Sequence, residues 1–193
     1  GVQTCALPIF RDENRNVITV MTWTTFCYTN RFTECNVKQR FKMLRFKMLK
    51  IIFGTESGNA EMAAEDMAAV LTEAGIEAKA VAMDDYDVNG LTDEEHVILM
   101  TSTYGEGELP MTTLPFYESL KTLSPNLSGI KFSAFGLGDS TCETYNQAIK
   151  TLIALMTELG ACQVGETGLH DAALPYTVSD MAVCSASRQF IIA

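Results

Sequence analysis

Strand-length apolar runs alternate with segments of helical spacing from residue 48 almost to the last residue, and this alternation limits the fold more than any other feature of the chain. Strands are predicted over 50–53, 77–83, 96–101, 131–136 and 162–167. The third, HVILMT, is a continuous apolar run of the kind that a parallel sheet buries on both faces. Helices are predicted over 60–74, 115–123 and 145–159, with Gly75 and Gly160 placed to close the first and last of these. A closing helix is expected over 176–193, where VSDMAVCSASRQFIIA lacks an aromatic anchor at the place expected for one and reads as atypical. Right-handed crossovers between successive strands leave one architecture for this order, an α/β three-layer sandwich with a five-stranded parallel sheet and helices on both faces.

Ligands of such sheets bind outside the carboxyl ends of the strands. The unusual loops of this chain fall at those ends, over 54–59, 102–110, 137–142 and 168–175. The first sits in KIIFGTESGNA (50–60), where an apolar strand runs into a hydroxyl-rich, glycine-containing turn at a helix start. Backbone N–H groups and the positive end of the helix dipole then face one spot, which suits a phosphate. An ordinary strand-to-helix turn with Thr55 or Ser57 as N-cap is the plainer reading. The loop after the third strand, TSTYGEGELP (101–110), adds hydroxyls, an aromatic ring and two glycines that let a backbone approach closely. A planar ligand stacked on Tyr104, its edge against Gly105 to Gly107 and its phosphate over 55–60, satisfies both loops at once.

Three motifs in order then carry a family resemblance. TESGNA (55–60) resembles the flavodoxin phosphate loop T-x-[ST]-G-[NT]-[AST], STYGEGELP (102–110) resembles the aromatic loop that packs on the flavin, and FGLGDSTCETYN (135–146) resembles the flavin loop after the fourth strand. The resemblance covers 48 to about 175 and is nearest to small MioC-type flavodoxins and to the flavin domains of diflavin reductases. It implies a flavodoxin-like sheet of order 2-1-3-4-5 and FMN as cofactor. It also assigns roles: Thr55, Glu56, Ser57, Gly58, Asn59 and Ala60 to the phosphate; Ser102, Thr103, Tyr104, Gly105, Glu106 and Gly107 to the flavin ring; and Leu137, Gly138, Asp139, Cys142, Tyr145, Asn146 and Asp171 to the loops flanking it. In the family the peptide beside the loop glycine, here between Gly105 and Glu106, turns its carbonyl to accept the flavin N5–H after one-electron reduction. One departure stands out, because the second stacking tyrosine of diflavin reductases falls at Cys142, which leaves that flavin face to a thiol or more open. A small apolar filler is the plain reading of Cys142, and Tyr145 matches a family aromatic that packs inward.

Other nucleotide folds fit less well. A P-loop needs G-K-[ST] and this loop has no lysine; GLGDS (136–140) follows a fourth strand and lacks G-x-G-x-x-G; a phosphorelay receiver needs an acceptor Asp where Thr101 and Ser102 stand. No catalytic constellation is visible, since His96 opens a strand and His170 is a lone residue near the rim. The resemblance therefore implies a one-electron carrier, a monomer working between an NADPH-dependent flavoprotein reductase and a basic-surfaced acceptor, without nucleic acid or membrane. Acids at Glu56, Glu61, Asp84, Asp85, Asp87, Glu106, Glu108, Asp139, Glu143 and Asp171 would guide such an acceptor and disfavour adding electrons to the flavin, beside their ordinary role as a solvated surface. Two alternatives stay open. One is the FMN half of a larger diflavin reductase such as a sulfite reductase flavoprotein, and the other a flavin-free interaction module.

Charge marks a seam near Met48. Residues 1–47 carry eight Lys or Arg against three acids, net +5, whereas 48–193 carry six against twenty-one, net −15. The first part also repeats RFKML at 40–44 and 45–49 and opens with GVQTCALPI, which resembles translated adapter sequence, so 1–47 is expected to be a non-native or disordered extension; a genuine basic arm for nucleic acid or an anionic membrane is the other reading. The strand-like run VITVMTWTTFCYT (17–29) is too short and too polar to span a bilayer. Six cysteines without C-x-x-C signal neither a zinc site nor a disulfide framework, and the chain reads as cytoplasmic.

Overall fold

The computed structural model of the chain describes residues 10–11, 17–18 and 48–191, with side chains over 48–186. The chain divides into two units, Gly1–Phe32 and Thr33–Ala193. In the first, Phe10–Arg11 pairs antiparallel with Val17–Ile18. The strand expected over 17–29 is thus described only at its first two residues, and the rest of it, like the duplicated RFKML, lies outside the described residues.

The second unit runs β1 (Leu49–Gly54), α1 (Asn59–Glu73), β2 (Ala78–Ala82), a 3-10 turn (Val88–Asp93), β3 (His96–Ser102), α2 (Leu114–Leu123), β4 (Lys131–Gly138), α3 (Gln147–Glu158), β5 (Cys162–Gln163), β6 (Gly168–Asp171) and α4 (Val178–Ile191). The sheet order is β2-β1-β3-β4-β5, with β6 also on β4, and every pairing is parallel. Alternate residues of the central strands feed two cores. Ile51, Phe53, Ile98, Met100, Phe135 and Leu137 pack against Ala60, Ala63, Ala64 and Met67 of α1 and Ala182 of α4. Ile52, Val97, Leu99 and Phe132 pack against Phe116 and Leu120 of α2 and Ile149, Leu152 and Met156 of α3. The two-residue period of a strand places consecutive apolar side chains in opposite layers, so a run such as His96–Ser102 must be apolar almost throughout.

Three local expectations are corrected. The fifth strand is broken: CQVGET pairs only at Cys162–Gln163, Gly165 takes φ 75, and the chain rejoins β4 at Gly168–Asp171, where a loop was expected. Helix α3 begins at Gln147 and not at residue 145, because Asn146 is held in the left-handed region at φ 54 and serves as N-cap. Helix α1 has Gly58, at φ 84, and neither Thr55 nor Ser57 as its N-cap residue, although the Thr55 hydroxyl accepts from Gly58 N just before the helix. The closing helix forms over Val178–Ile191 and packs on α1. No helix among the described residues is long and apolar enough to cross a membrane, and no cluster of metal ligands occurs among them.

Candidate functional site

Register places the four loops together. Gly54 pairs with Thr101, Thr101 with Gly136, Ser102 with Leu137, and Gly138 with Asp171, so the loops following β1, β3, β4 and β6 leave the sheet along one edge.

After β1, Gly54 is a packing requirement. A Cβ there would lie 1.8 Å from Thr113 Oγ1, which fills the space and lies 3.0 Å from Thr101 Oγ1. Beyond it, Thr55 N donates to Thr112 Oγ1 at 2.8 Å, the same hydroxyl donates to Thr55 O at 2.8 Å, and Gly58 N donates to Thr55 Oγ1 at 2.9 Å. Among the described residues the N–H groups of Glu56, Ser57, Asn59, Ala60 and Glu61 have no acceptor, the first helical bond into α1 running from Met62 N to Gly58 O. Unpaired donors at the start of a fifteen-residue helix suit an anion. The Glu56 carboxylate accepts from Met111 N at 3.0 Å, which ties it to the neighbouring loop.

After β3, Tyr104 to Glu108 closes a tight turn. Glu108 N and Gly107 N donate to Tyr104 O, and Tyr104 N donates to Glu108 O. Gly105 and Gly107 take φ 51 and φ 103, a region that disfavours side chains, and a Cβ at Gly107 would meet Thr144 at 2.9 Å. This close approach brings the turn against the loop following β4. Tyr104 is 52% exposed, which leaves an aromatic side chain open to a ligand at this turn. Ser102 Oγ is buried without a partner.

Two carboxylates organise the other side. Asp139 accepts from Thr141 N at 2.8 Å and Thr141 Oγ1 at 2.6 Å, while Asp171 accepts from Ser140 N and Ala173 N, and Ala172 N donates to Gly138 O. The Thr141 hydrogen bonds hold the Asp139 carboxyl below its ordinary range, and those from Ser140 do the same for Asp171. Burial, and then the charge of Asp171, push the Tyr145 phenol up.

Several expected residues serve the frame and turn away from the rim. Leu137 is buried and its carbonyl accepts from Thr103 N; Thr103 Oγ1 accepts from Ala148 N. Tyr145 packs inward as expected, its hydroxyl on His170 O, where Asn146 Nδ2 also donates. Asn146 Oδ1 is buried without a partner. Cys142 is exposed, which corrects its reading as an apolar filler. His170 is buried, its Nε2 on Tyr176 O, and so is not a rim residue. Thr112, Thr113 and Met111 were missed. Nothing in LPMTTLP distinguishes a hydroxyl that bonds to a residue 57 positions away from an ordinary polar loop.

A cradle of unpaired N–H groups, an exposed ring in a glycine turn and a buried hydroxyl at the end of β3 fit a planar ligand that carries an anionic tail. Comparison with known proteins points the same way. The flavodoxin family model matches residues 51–182. Protein MioC of Escherichia coli (strain K12) is 34% identical over 122 residues, 62% of this chain and 80% of that protein. NADPH-dependent diflavin oxidoreductase 1 of Cryptococcus neoformans var. neoformans is 35% identical over 133 residues, 67% of this chain but 22% of that protein, so the chain spans about a fifth of such relatives. The structure of oxidised flavodoxin 1 from Bacillus cereus superposes with a TM-score of 0.65 at 29% identity, covering 75% of this chain and 97% of the other.

Proposed function

The chain belongs to the flavodoxin family, and from that premise we propose that it holds FMN along this edge of the sheet and passes single electrons from an NADPH-dependent flavoprotein reductase to an acceptor with a basic surface. FMN supplies the redox chemistry, because its ring takes up and releases electrons singly. The protein binds, orients and tunes. Glu56, Ser57, Asn59 and Ala60 offer N–H groups to the phosphate, which lets the dianion bind without Lys or Arg. Tyr104 covers one face of the ring. The peptide between Gly105 and Glu106, unpartnered among the described residues, offers either its N–H or its carbonyl to the ring edge. Asp139 and Asp171 pin the loop on the far side, where Cys142 leaves that face more open than a stacking aromatic would. Asp139, Asp171, Glu106 and Glu143 surround the opening with negative charge, which disfavours extra electrons on the ring and attracts a basic partner.

The observation that carries this reading is the set of unpaired N–H groups at Glu56, Ser57 and the start of α1, on the same sheet edge as the Tyr104 turn. A cytoplasmic monomer, with residues 1–47 as an extension outside the FMN-binding unit, completes the proposal. A second reading, the FMN portion of a longer diflavin reductase, is favoured by the short span of the chain on relatives such as the sulfite reductase flavoprotein alpha-component of Vibrio cholerae, 37% identical over 119 residues but covered for only 19% of its length. Titrating the flavin-free chain with FMN and following flavin fluorescence tests both, since each needs saturable quenching at one FMN per chain. An FMN signal that never changes would remove both. An FAD- and NADPH-binding continuation in the parent coding sequence would decide for the second.

A further inference from the structure

Where β1 ends, its hydrogen-bonding neighbour β3 has already diverged, since Gly54 opposite Thr101 is the last pair of that ladder. The next residue, Thr55, is nonetheless bonded on both its N–H and its C=O, and both bonds go to one side-chain hydroxyl, Thr112 Oγ1, at 2.8 Å each. A hydroxyl has one proton to give and lone pairs to receive, so a single threonine reproduces here the donor and acceptor of a missing strand residue. One residue earlier, Met111 N holds the Glu56 carboxylate at 3.0 Å. One residue later, Thr113 is buried, with its hydroxyl in the gap left by Gly54. Two consecutive residues therefore bond to the two residues that follow β1, and a third fills the space beside Gly54 at its end.

We infer that the 111–113 segment is a strap that positions the phosphate cradle, with Thr112 as its central positioning residue; this rests on the proposed FMN site. Thr112 offers the phosphate nothing itself, because its hydroxyl is fully used on Thr55. It acts through Thr55, whose own hydroxyl accepts from Gly58 N and so sets where the following N–H groups point. The bond from Met111 N has an electrostatic task. Glu56 carries its charge beside a site meant for a dianion, and a carboxylate fixed on the neighbouring loop is kept from competing for the cradle N–H groups. The same segment continues from the Tyr104 turn, so the strap joins the phosphate end of the site to its ring end.

Riboflavin, which lacks the phosphate, provides the control. FMN and riboflavin affinities are measured by fluorescence quenching on the full chain and on its T112V and T112S variants. Valine keeps the shape and removes both bonds to Thr55, whereas serine keeps the hydroxyl. The strap predicts that T112V lowers the ratio of FMN to riboflavin affinity by about tenfold, and that T112S restores most of it. Amide hydrogen exchange at Thr55 in the flavin-free chain is expected to be faster in T112V than in T112S. An unchanged ratio, or equal losses for both flavins, would overturn the strap and make Thr112 an ordinary packing residue. A wild-type chain that binds neither flavin would remove the FMN reading itself, an outcome visible before any variant is compared.

Discussion

The two ends of the parallel sheet are built to opposite rules. At the end where the strands begin, polar groups are paired: Leu49 N donates to Glu77 O, Lys131 N to Glu95 O and Cys162 N to Ile130 O, Lys50 pairs with Glu94, and the buried His96 bonds to Ser133. At the end where the strands finish, N–H groups at 56, 57, 59 and 60 have no acceptor among the described residues, and a tyrosine is half exposed. Exposed amide donors at a helix start are free to meet an anion, and beside a half-exposed ring they suit a ligand with an anionic tail. The contrast separates residues that hold the fold from residues proposed to hold FMN, and substitutions at each end should divide accordingly.

The largest effect is expected from Phe132→Ala. This side chain is fully buried on the α2 and α3 face of β4. Its removal should cost about 3–5 kcal/mol in urea unfolding while leaving the FMN affinity of the folded fraction near wild type. A large loss of affinity without loss of stability would break the division.

His96 gives the next largest effect, and it depends on pH. Burial, and then the charge of Lys131, lower its pKa from 6.5 to about 4. Because Ser133 Oγ also donates to Val164 O, the imidazole donates to Ser133 through Nε2. Below 6.5 the unfolded chain takes up a proton that the native chain refuses until about 4. Stability is therefore full above 6.5 and falls as pH drops through this window, by on the order of 3 kcal/mol. Urea midpoints recorded from pH 7 to 4 should show this slope, and His96→Gln should flatten it.

Tyr104→Ala should do the reverse of Phe132→Ala. Losing an exposed stacking ring should weaken FMN by about tenfold, with unfolding free energy within about 0.5 kcal/mol of wild type. Equal losses in both measurements would mean that the turn is structural. The smallest effect is expected at Asp171. Hydrogen bonds from Ser140 hold its carboxyl below the ordinary value, so the restraint on the loop is present above that value and is lost as pH falls through the depressed one. The Ser140 amide signal should titrate in that acid range, and Asp171→Asn should abolish the titration while leaving the far loop over 55–60 unmoved.

How much of this was legible in the sequence depended on whether the information was local. The parallel core was readable because strands buried on both faces must be apolar in continuous runs, as HVILMT is, and glycine stops mark the helix ends. The order of the loops along the edge came with the family resemblance, while the crossover rule gave only the parallel sheet covered on both faces. The break in the fifth strand was hidden, since Gly165 at φ 75 looks the same in sequence as a glycine within a strand. The start of α3 and the cap of α1 were hidden for a related reason: Asn146 and Gly58 cap by adopting left-handed backbone, which their residue types do not announce. Thr112 was invisible because its partner lies across the sheet edge, and only the register of β1 on β3 brings the two together. Cys142 was read as filler from its size, but it stands on an exposed loop held by Asp139, where size decides nothing.

The central claim is that the open end of the sheet carries FMN as a one-electron group. The most direct measurement is the visible absorption spectrum of the FMN-loaded full chain during stepwise reduction without oxygen. The account predicts oxidised flavin bands that give way, near half reduction, to a separate absorbing species before full bleaching. Direct bleaching in a single two-electron step, or a folded chain that remains colourless when FMN is added, would contradict it.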